Sequence, residues 1–186
     1  MARIPLATRD SVPEQQQAVF DTLVRQRGDV PNAGPLAVMI HVPELMRRGE
    51  DFRAYLRGDD SCLPLKTREL AMILTARELD CPFIWNAHAA SARRAGIRDD
   101  IVDHLRDNKE IAGLSPDETA VVNYGREFFR THRVSQTTFD AALAQFGVRG
   151  LIELTNLLGY YALLAFNVNA FAVELPTEAA EAPLPV

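Results

Sequence analysis

The sequence predicts an all-α fold, a single-domain bundle of about eight helices. Three observations carry this. Apolar residues recur at three- and four-residue spacing along most of the chain. Capping residues, prolines and closing glycines punctuate it as helix start and stop signals. No stretch sustains two-residue alternation, and no Asn-Gly or Asp-Gly hairpin signal occurs. With 186 residues, one domain with a substantial core is the simplest organisation.

Taken in order, residues 1–12 read as an N-terminal arm, 13–175 as the helical domain and 176–186 as a flexible tail rich in proline, alanine and acids. Ser11-Val12-Pro13-Glu14 predicts the first helix start, with Ser11 as N-cap and Glu14 as its capping-box partner. Val19, Phe20, Leu23 and Val24 form the apolar side of that helix, and Gly28 ends it. Residues 30–35, VPNAGP, break regular structure. A short helix is expected over Leu36 to Val42, and Pro43 restarts one toward Leu56. Gly58 to Ser61 reads as a turn.

The stretch from Leu65 to Gly96 is the centre of the chain. It reads as two helices joined by a tight turn. Pro64 precedes the first, where Leu70, Ile73 and Leu74 make a largely apolar stripe. Pro82 suits the first position of the second, which places Cys81 at its N-cap, and Gly96 closes it. Beyond, Arg98 to Asp107 predicts a short helix. Ser115-Pro116 opens one that ends near His132, with acids in its first turn. Ser135 caps another that stops at Gly147, and a last helix runs from Val148 or Arg149 to about Val173.

Composition narrows the class. Hydrophobic content of 47% and charged content of 24% suit a soluble globular protein. A net charge of −5 argues against a general nucleic-acid binder. The pairs Arg47-Arg48 and Arg93-Arg94 read as solvated helix surface. Two cysteines, Cys62 and Cys81, do not make a disulfide framework, and the first residues lack an apolar signal core, so a cytoplasmic protein is expected. The apolar region Leu151 to Leu175 is interrupted by Glu153, Asn156, Gly159, Asn167 and Asn169. A buried or subunit-interface helix fits it better than a membrane span.

The central pair of helices gathers the candidate chemistry: Glu69, Cys81 and His88. At about 1.5 Å rise per residue, Glu69 and His88 lie at heights differing by roughly 6 Å on the two arms, within reach of two side chains or one bridging water. Cys81 and His88 are seven apart and share a helix face. The N-terminal end of a helix favours thiolate at Cys81, and Asp80 opposes it; the alternative is a small buried hydrophobe. His88 suits general acid or base work with Glu69 orienting it, or else both are satisfied structural groups. Cys62 sits at the far end of a helix roughly 22 Å long, beyond disulfide reach of Cys81 within one subunit. His41, His104 and His132 show no paired ligand spacing, and no phosphate-cradling glycine loop occurs, so neither metal nor cofactor is expected. In the last helix Tyr160, Tyr161, Asn167 and Asn169 need partners, across a pocket or across a subunit interface.

Several stretches together resemble the carboxymuconolactone decarboxylase family, which includes the alkyl hydroperoxidase D-like proteins. They are Pro31-Asn32, HVPEL at His41 to Leu45, LPLKTRELAMILTARELDCPFIWNAHAASARRAG at Leu63 to Gly96, LSPDE at Leu114 to Glu118, and LLGYYALLAFNVNAF at Leu157 to Phe171. The resemblance implies an all-helical homo-oligomer, a dimer, trimer or hexamer. Hydroperoxidase-type members carry a glutamate, a CxxC pair and a histidine. Glu69, Cys81 and His88 match, and Ile84 replaces the second cysteine. Decarboxylase-type members show an aromatic-acid-Trp run before the histidine. Trp85 and His88 match, and Ile84 again replaces the acid. The resemblance thus implies Glu69, Cys81 and His88 as catalytic groups, with Trp85, Asn86, Tyr160 and Asn167 as substrate contacts. Three functions follow. One is a carboxy-lyase-like enzyme on a small carboxylated ring or lactone, with His88 and Glu69 moving the proton and Lys66 or Arg68 holding a carboxylate. Another is a thiol peroxidase in which Cys81 uses an external resolving thiol. The last is a non-catalytic helical oligomer that binds a small ligand.

Overall fold

The computed structural model describes residues 2–176 and 181–186. The described chain is all helical apart from its connections, and no strand is present among the described residues. The elements are α1 (Gln17–Arg27), α2 (Gly34–Met39), α3 (Pro43–Arg57), α4 (Leu65–Glu78), α5 (Pro82–Arg94), α6 (Asp99–Arg106), α7 (Pro116–Thr131) and α8 (Gln136–Ala170).

Helix α4 is the axis of the bundle. The sequence suggests one apolar stripe, but Leu70, Ala71, Met72, Ile73 and Leu74 are buried in succession, so the helix has no solvent face over that stretch. A helix buried all round must be enclosed by others, and α5, α7 and α8 pack around it. Ion pairs fasten both ends of α4 to α7. Lys66 Nζ meets Glu118 Oε1 at 2.8 Å, and Arg130 Nε meets Glu78 Oε2 at 2.7 Å. Glu118 also accepts from the Ser115 backbone N–H, completing the capping box that starts α7.

Gly147 divides α8. Its φ of +65° is non-helical and is a conformation that residues with a Cβ rarely adopt, so α8 is two helices meeting at a kink, with the break at Gly147 where the sequence places it. By length and apolarity α8 could cross a membrane, yet more than half of its apolar stretch is buried inside the fold. Its apolar face builds the core.

Three expectations are corrected. The first helix starts at Gln17, after a 3-10 turn over Glu14–Gln16. Ser11 instead closes a separate turn, its Oγ accepting from Thr8 N–H and donating to Thr8 O at 2.8 Å each. The arm is seated: Arg3 N–H donates to Phe171 O at 3.0 Å, and Ala7 and Val12 are buried. The tail, expected to be flexible, is also seated where it is described, residues 177–180 and Met1 lying outside the described residues. Leu184 joins the core cluster, and Ala182 O accepts from Trp85 Nε1 at 3.2 Å.

Candidate active site

The site grows out of the α4–α5 hairpin. Asp80 holds the connecting turn in the left-handed region at φ +46°, where an aspartate is better tolerated than most residues. Arg77 pairs with its carboxylate, and Asn169 Nδ2 donates to Leu79 O at 2.9 Å, tying α8 to the turn. Pro82 stands at the first position of α5 with Cys81 as N-cap, as its residue order requires. With the turn fixed, the two arms run side by side and the side chains of Glu69 and His88 meet. His88 Nδ1 is 2.9 Å from Glu69 Oε2. Both side chains are buried.

This contact fixes the tautomer. A carboxylate can only accept, so Nδ1–H donates and Nε2 presents a lone pair. Tyr161 on α8 supplies the partner, with its hydroxyl 3.3 Å from Nε2 and its ring edge-on to the imidazole at 5.1 Å between centroids. Burial pushes the Tyr161 phenol well above its ordinary pKa, against the smaller opposing pull of Arg57, so it stays protonated and donates. Behind the imidazole, Glu69 Oε1 lies 3.7 Å from Arg57. Arg57, Glu69, His88 and Tyr161 form one continuous polar chain.

The open end of that chain faces a cavity of about 330 Å³ between α1, α2, α3, α5 and α8. Arg27, Arg53, Arg57, His88, Tyr160 and Tyr161 form its polar wall. Gly34, Pro35, Phe83, Ile84 and Leu164 are among its apolar lining. Gly34 has φ +65°, and a Cβ there would stand 2.7 Å from the Phe83 ring. Only glycine lets α2 close onto α5 at this rim.

Cys81 is elsewhere. It is fully buried and does not line the cavity. Burial raises its thiol pKa, outweighing the N–H groups of Ile84 and Phe83 that favour thiolate. Of the two readings open for Cys81, the structure shows the buried one, and its expected place beside Glu69 and His88 at the site is corrected. Ile84, one turn before His88, takes the cavity-facing position with a hydrocarbon side chain. Cys62 is exposed, and both cysteines are free.

Of the expected substrate contacts, Tyr160 alone lines the cavity. Trp85 is buried outside the cavity lining and donates to Ala182 O in the tail. Asn86 is half-buried and outside the cavity lining. Asn167 donates to Leu163 O within its own helix. The cations differ too: Lys66 is paired with Glu118, and Arg68 donates to Gly58 O at 2.9 Å, so neither faces the cavity. Arg27, Arg53 and Arg57 were not singled out by the sequence; Tyr161 was, as a group needing a partner across a pocket or a subunit interface, and it lines the cavity. A signal existed for the arginines only in the four-residue step from Arg53 to Arg57, which puts both on one face of α3. Among the described residues, no cluster of three or more His, Cys, Asp or Glu is arranged to hold a metal ion.

Residues 43–127 match the model of the Carboxymuconolactone decarboxylase family, which supports the resemblance read from the sequence. Solved structures share the fold. One is the alkylhydroperoxidase AhpD core of an uncharacterized peroxidase-related protein from Ralstonia eutropha, 18% identical, covering 95% of this chain and 93% of that one, with a TM-score of 0.72. An uncharacterized peroxidase-related protein from Silicibacter sp. is 16% identical, covering 96% and 93%, with a TM-score of 0.70. A cysteine-to-alanine variant of the debrominase Bmp8 in complex with 2,3,4-tribromopyrrole is 15% identical, covering 95% and 92%, with a TM-score of 0.68. No curated protein matches the chain.

Proposed function

We propose that this chain, whose residues 43–127 match the carboxymuconolactone decarboxylase family, is an acid–base enzyme that moves a proton on a small carboxylated ring or lactone without using a thiol. The observation that supports this is the hydrogen-bonded chain Glu69–His88–Tyr161, which opens on a cavity that Cys81 does not line. Loss of carbon dioxide from such a ring leaves an enolate-like charge, which needs a proton donor beside the reacting carbon. The Nε2 lone pair of His88 takes up a proton from solvent, and the imidazolium so formed delivers it to that carbon. Glu69 holds the imidazole in the Nε2-reactive tautomer and stabilises its charged form, the role a buried carboxylate plays behind a catalytic histidine. The cavity lies at the small end of the ~300–1,000 Å³ range of ligand pockets, which suits a single ring.

A thiol peroxidase is the weaker reading, because Cys81 is buried with a raised pKa and the position one turn before His88 is Ile84. A screen of carboxylated lactones and organic hydroperoxides against wild type, His88→Ala and Cys81→Ser separates the two. Lactone turnover should fall ~10²–10⁴-fold in His88→Ala and persist in Cys81→Ser. Hydroperoxide consumption that vanishes in Cys81→Ser would overturn the proposal. Wild type inert toward every substrate, and equal to His88→Ala, would favour the ligand-binding oligomer instead.

The same reading takes the protein as a cytoplasmic homo-oligomer. Phe52 on α3 and Ile152, Leu163 and Phe166 on α8 are large exposed apolar side chains, and a second copy is the occupant proposed for them. Sedimentation velocity tests this: a 20.7 kDa species at micromolar concentration ends the oligomer reading.

A further inference from the structure

The wall of the cavity contributed by α1 and α3 carries more positive charge than its partners neutralise. Arg27, Arg53 and Arg57 all line the cavity. Arg27 and Arg53 share one carboxylate, Glu50, which is 3.2 Å from Arg53 Nε. Arg57 has Glu69, which already accepts from His88. Three guanidinium groups thus face two carboxylates, an excess of one positive charge with His88 neutral. Neither carboxylate lines the cavity.

Tyr160 is the second, independent observation. It is 96% buried, it lines the same cavity, and its hydroxyl has no hydrogen-bond partner among the described residues. Its ring is held edge-on by Phe52 at 5.7 Å and by Tyr161 at 5.9 Å, so the hydroxyl does not swing freely to find one. A buried hydroxyl left unpaired is destabilising, because it has given up water without gaining a partner. It is tolerated where a ligand completes it. The guanidinium groups of Arg53 and Arg57 act on this phenol electrostatically, so the unpaired donor and the unbalanced charge belong to one place.

We propose that Arg53 and Tyr160 form a subsite for a single carboxylate, which anchors an anionic substrate with its reacting carbon toward His88. The guanidinium of Arg53 donates to the carboxylate as a charged fork, and Tyr160 donates a third hydrogen bond. Arg27 supplies further positive field. The lowered pKa of Arg27, caused by burial and then by Arg53, is consistent with like charges held together in wait of an anion. Arg57 stays with Glu69. The subsite rests on the reading of this cavity as the active site, but its test needs no turnover.

The test compares benzoate with benzamide, ring ligands of nearly one shape that differ in charge, by calorimetric titration at pH 7 and low salt. Wild type should bind benzoate about tenfold tighter or more. Arg53→Gln should abolish that preference, Arg53→Lys should keep part of it as a point charge, and Tyr160→Phe should weaken benzoate about two- to tenfold while leaving benzamide unchanged. Circular dichroism checks that each variant is folded. Equal affinity of wild type for both compounds, no binding of benzoate at millimolar concentration, or a preference unchanged in both Arg53→Gln and Tyr160→Phe would overturn the subsite. His88→Ala should retain benzoate binding. A protein that discriminates benzoate from benzamide yet turns over no lactone would leave the subsite standing and remove the proposed reaction.

Discussion

Tyr161 and Glu153 show how one residue can carry opposite meanings in a sequence and in a fold. Tyr161 stands one position from Tyr160, and both lie in an apolar run. Only Tyr161 reaches His88, at 3.3 Å. Tyr161→Phe removes the donor with little change in volume, so it should lower turnover while leaving benzoate binding intact, as steady-state rates and calorimetry would establish. Glu153 reads in sequence as a mere interruption of the same run. In the fold it accepts from Ser61 Oγ, Cys62 N–H and Arg149 Nε at 2.8 Å each and from Tyr55 at 3.0 Å. Burial alone would raise its pKa; those hydrogen bonds outweigh burial and bring it from 4.5 to about 2. A carboxyl depressed on folding stabilises fully above its unfolded value and loses that contribution as pH falls toward the folded value. Wild type should therefore exceed Glu153→Gln in stability by about 1–3 kcal/mol at neutral pH, the gap closing between pH 4.5 and about 2 in urea melts. The pairing of Glu69 with His88 was legible because helix rise alone sets their levels. The arginines were not, because α1 and α3 reach the cavity through tertiary packing that no local spacing encodes.

At the scale of the element, α5 is a helix with two working faces. Ile84 and His88 face the cavity, while Trp85 donates to Ala182 O in the returning tail. The family resemblance implied a catalytic role for His88 and a substrate contact for Trp85. Three residues apart on a helix are ordinarily neighbours on one face, yet here the large indole turns to the tail and the imidazole to Glu69. Removing residues 177–186 should uncover the back of α5. The burial of Leu184 alone is worth ~1.5–3 kcal/mol, so the truncated chain should melt about 3–12 °C lower, as differential scanning calorimetry would record. The rim of the cavity depends on Gly34. A Gly34→Ala chain meets both the Phe83 ring and a left-handed backbone, which costs at least ~1–2 kcal/mol. It should melt about 2–8 °C lower and lose benzoate affinity. The sequence marked residues 30–35 as irregular from their prolines and glycine. What that glycine approaches lies some fifty residues later and is set by how α2 packs on α5.

Over the whole molecule, the all-α class, the helical hairpin at its centre and most helix ends were legible, because periodicity, prolines and closing glycines act locally. Where local signals misled, packing had overruled them. Ser11 has a serviceable capping sequence but closes a turn of its own. The acidic, proline-rich tail has a composition typical of mobile ends, yet Leu184 is seated in the core and Arg77 donates to Pro185 O at 2.8 Å. The molecule thereby places its few optical groups usefully. Trp85 is the sole tryptophan, and it sits on α5 against the returning chain end, while Tyr160 and Tyr161 stand at the cavity. Indole emission should redden when the end peels away, and tyrosine absorbance should respond when the cavity fills. The unlabelled protein thus carries separate native reporters for undocking and for occupancy.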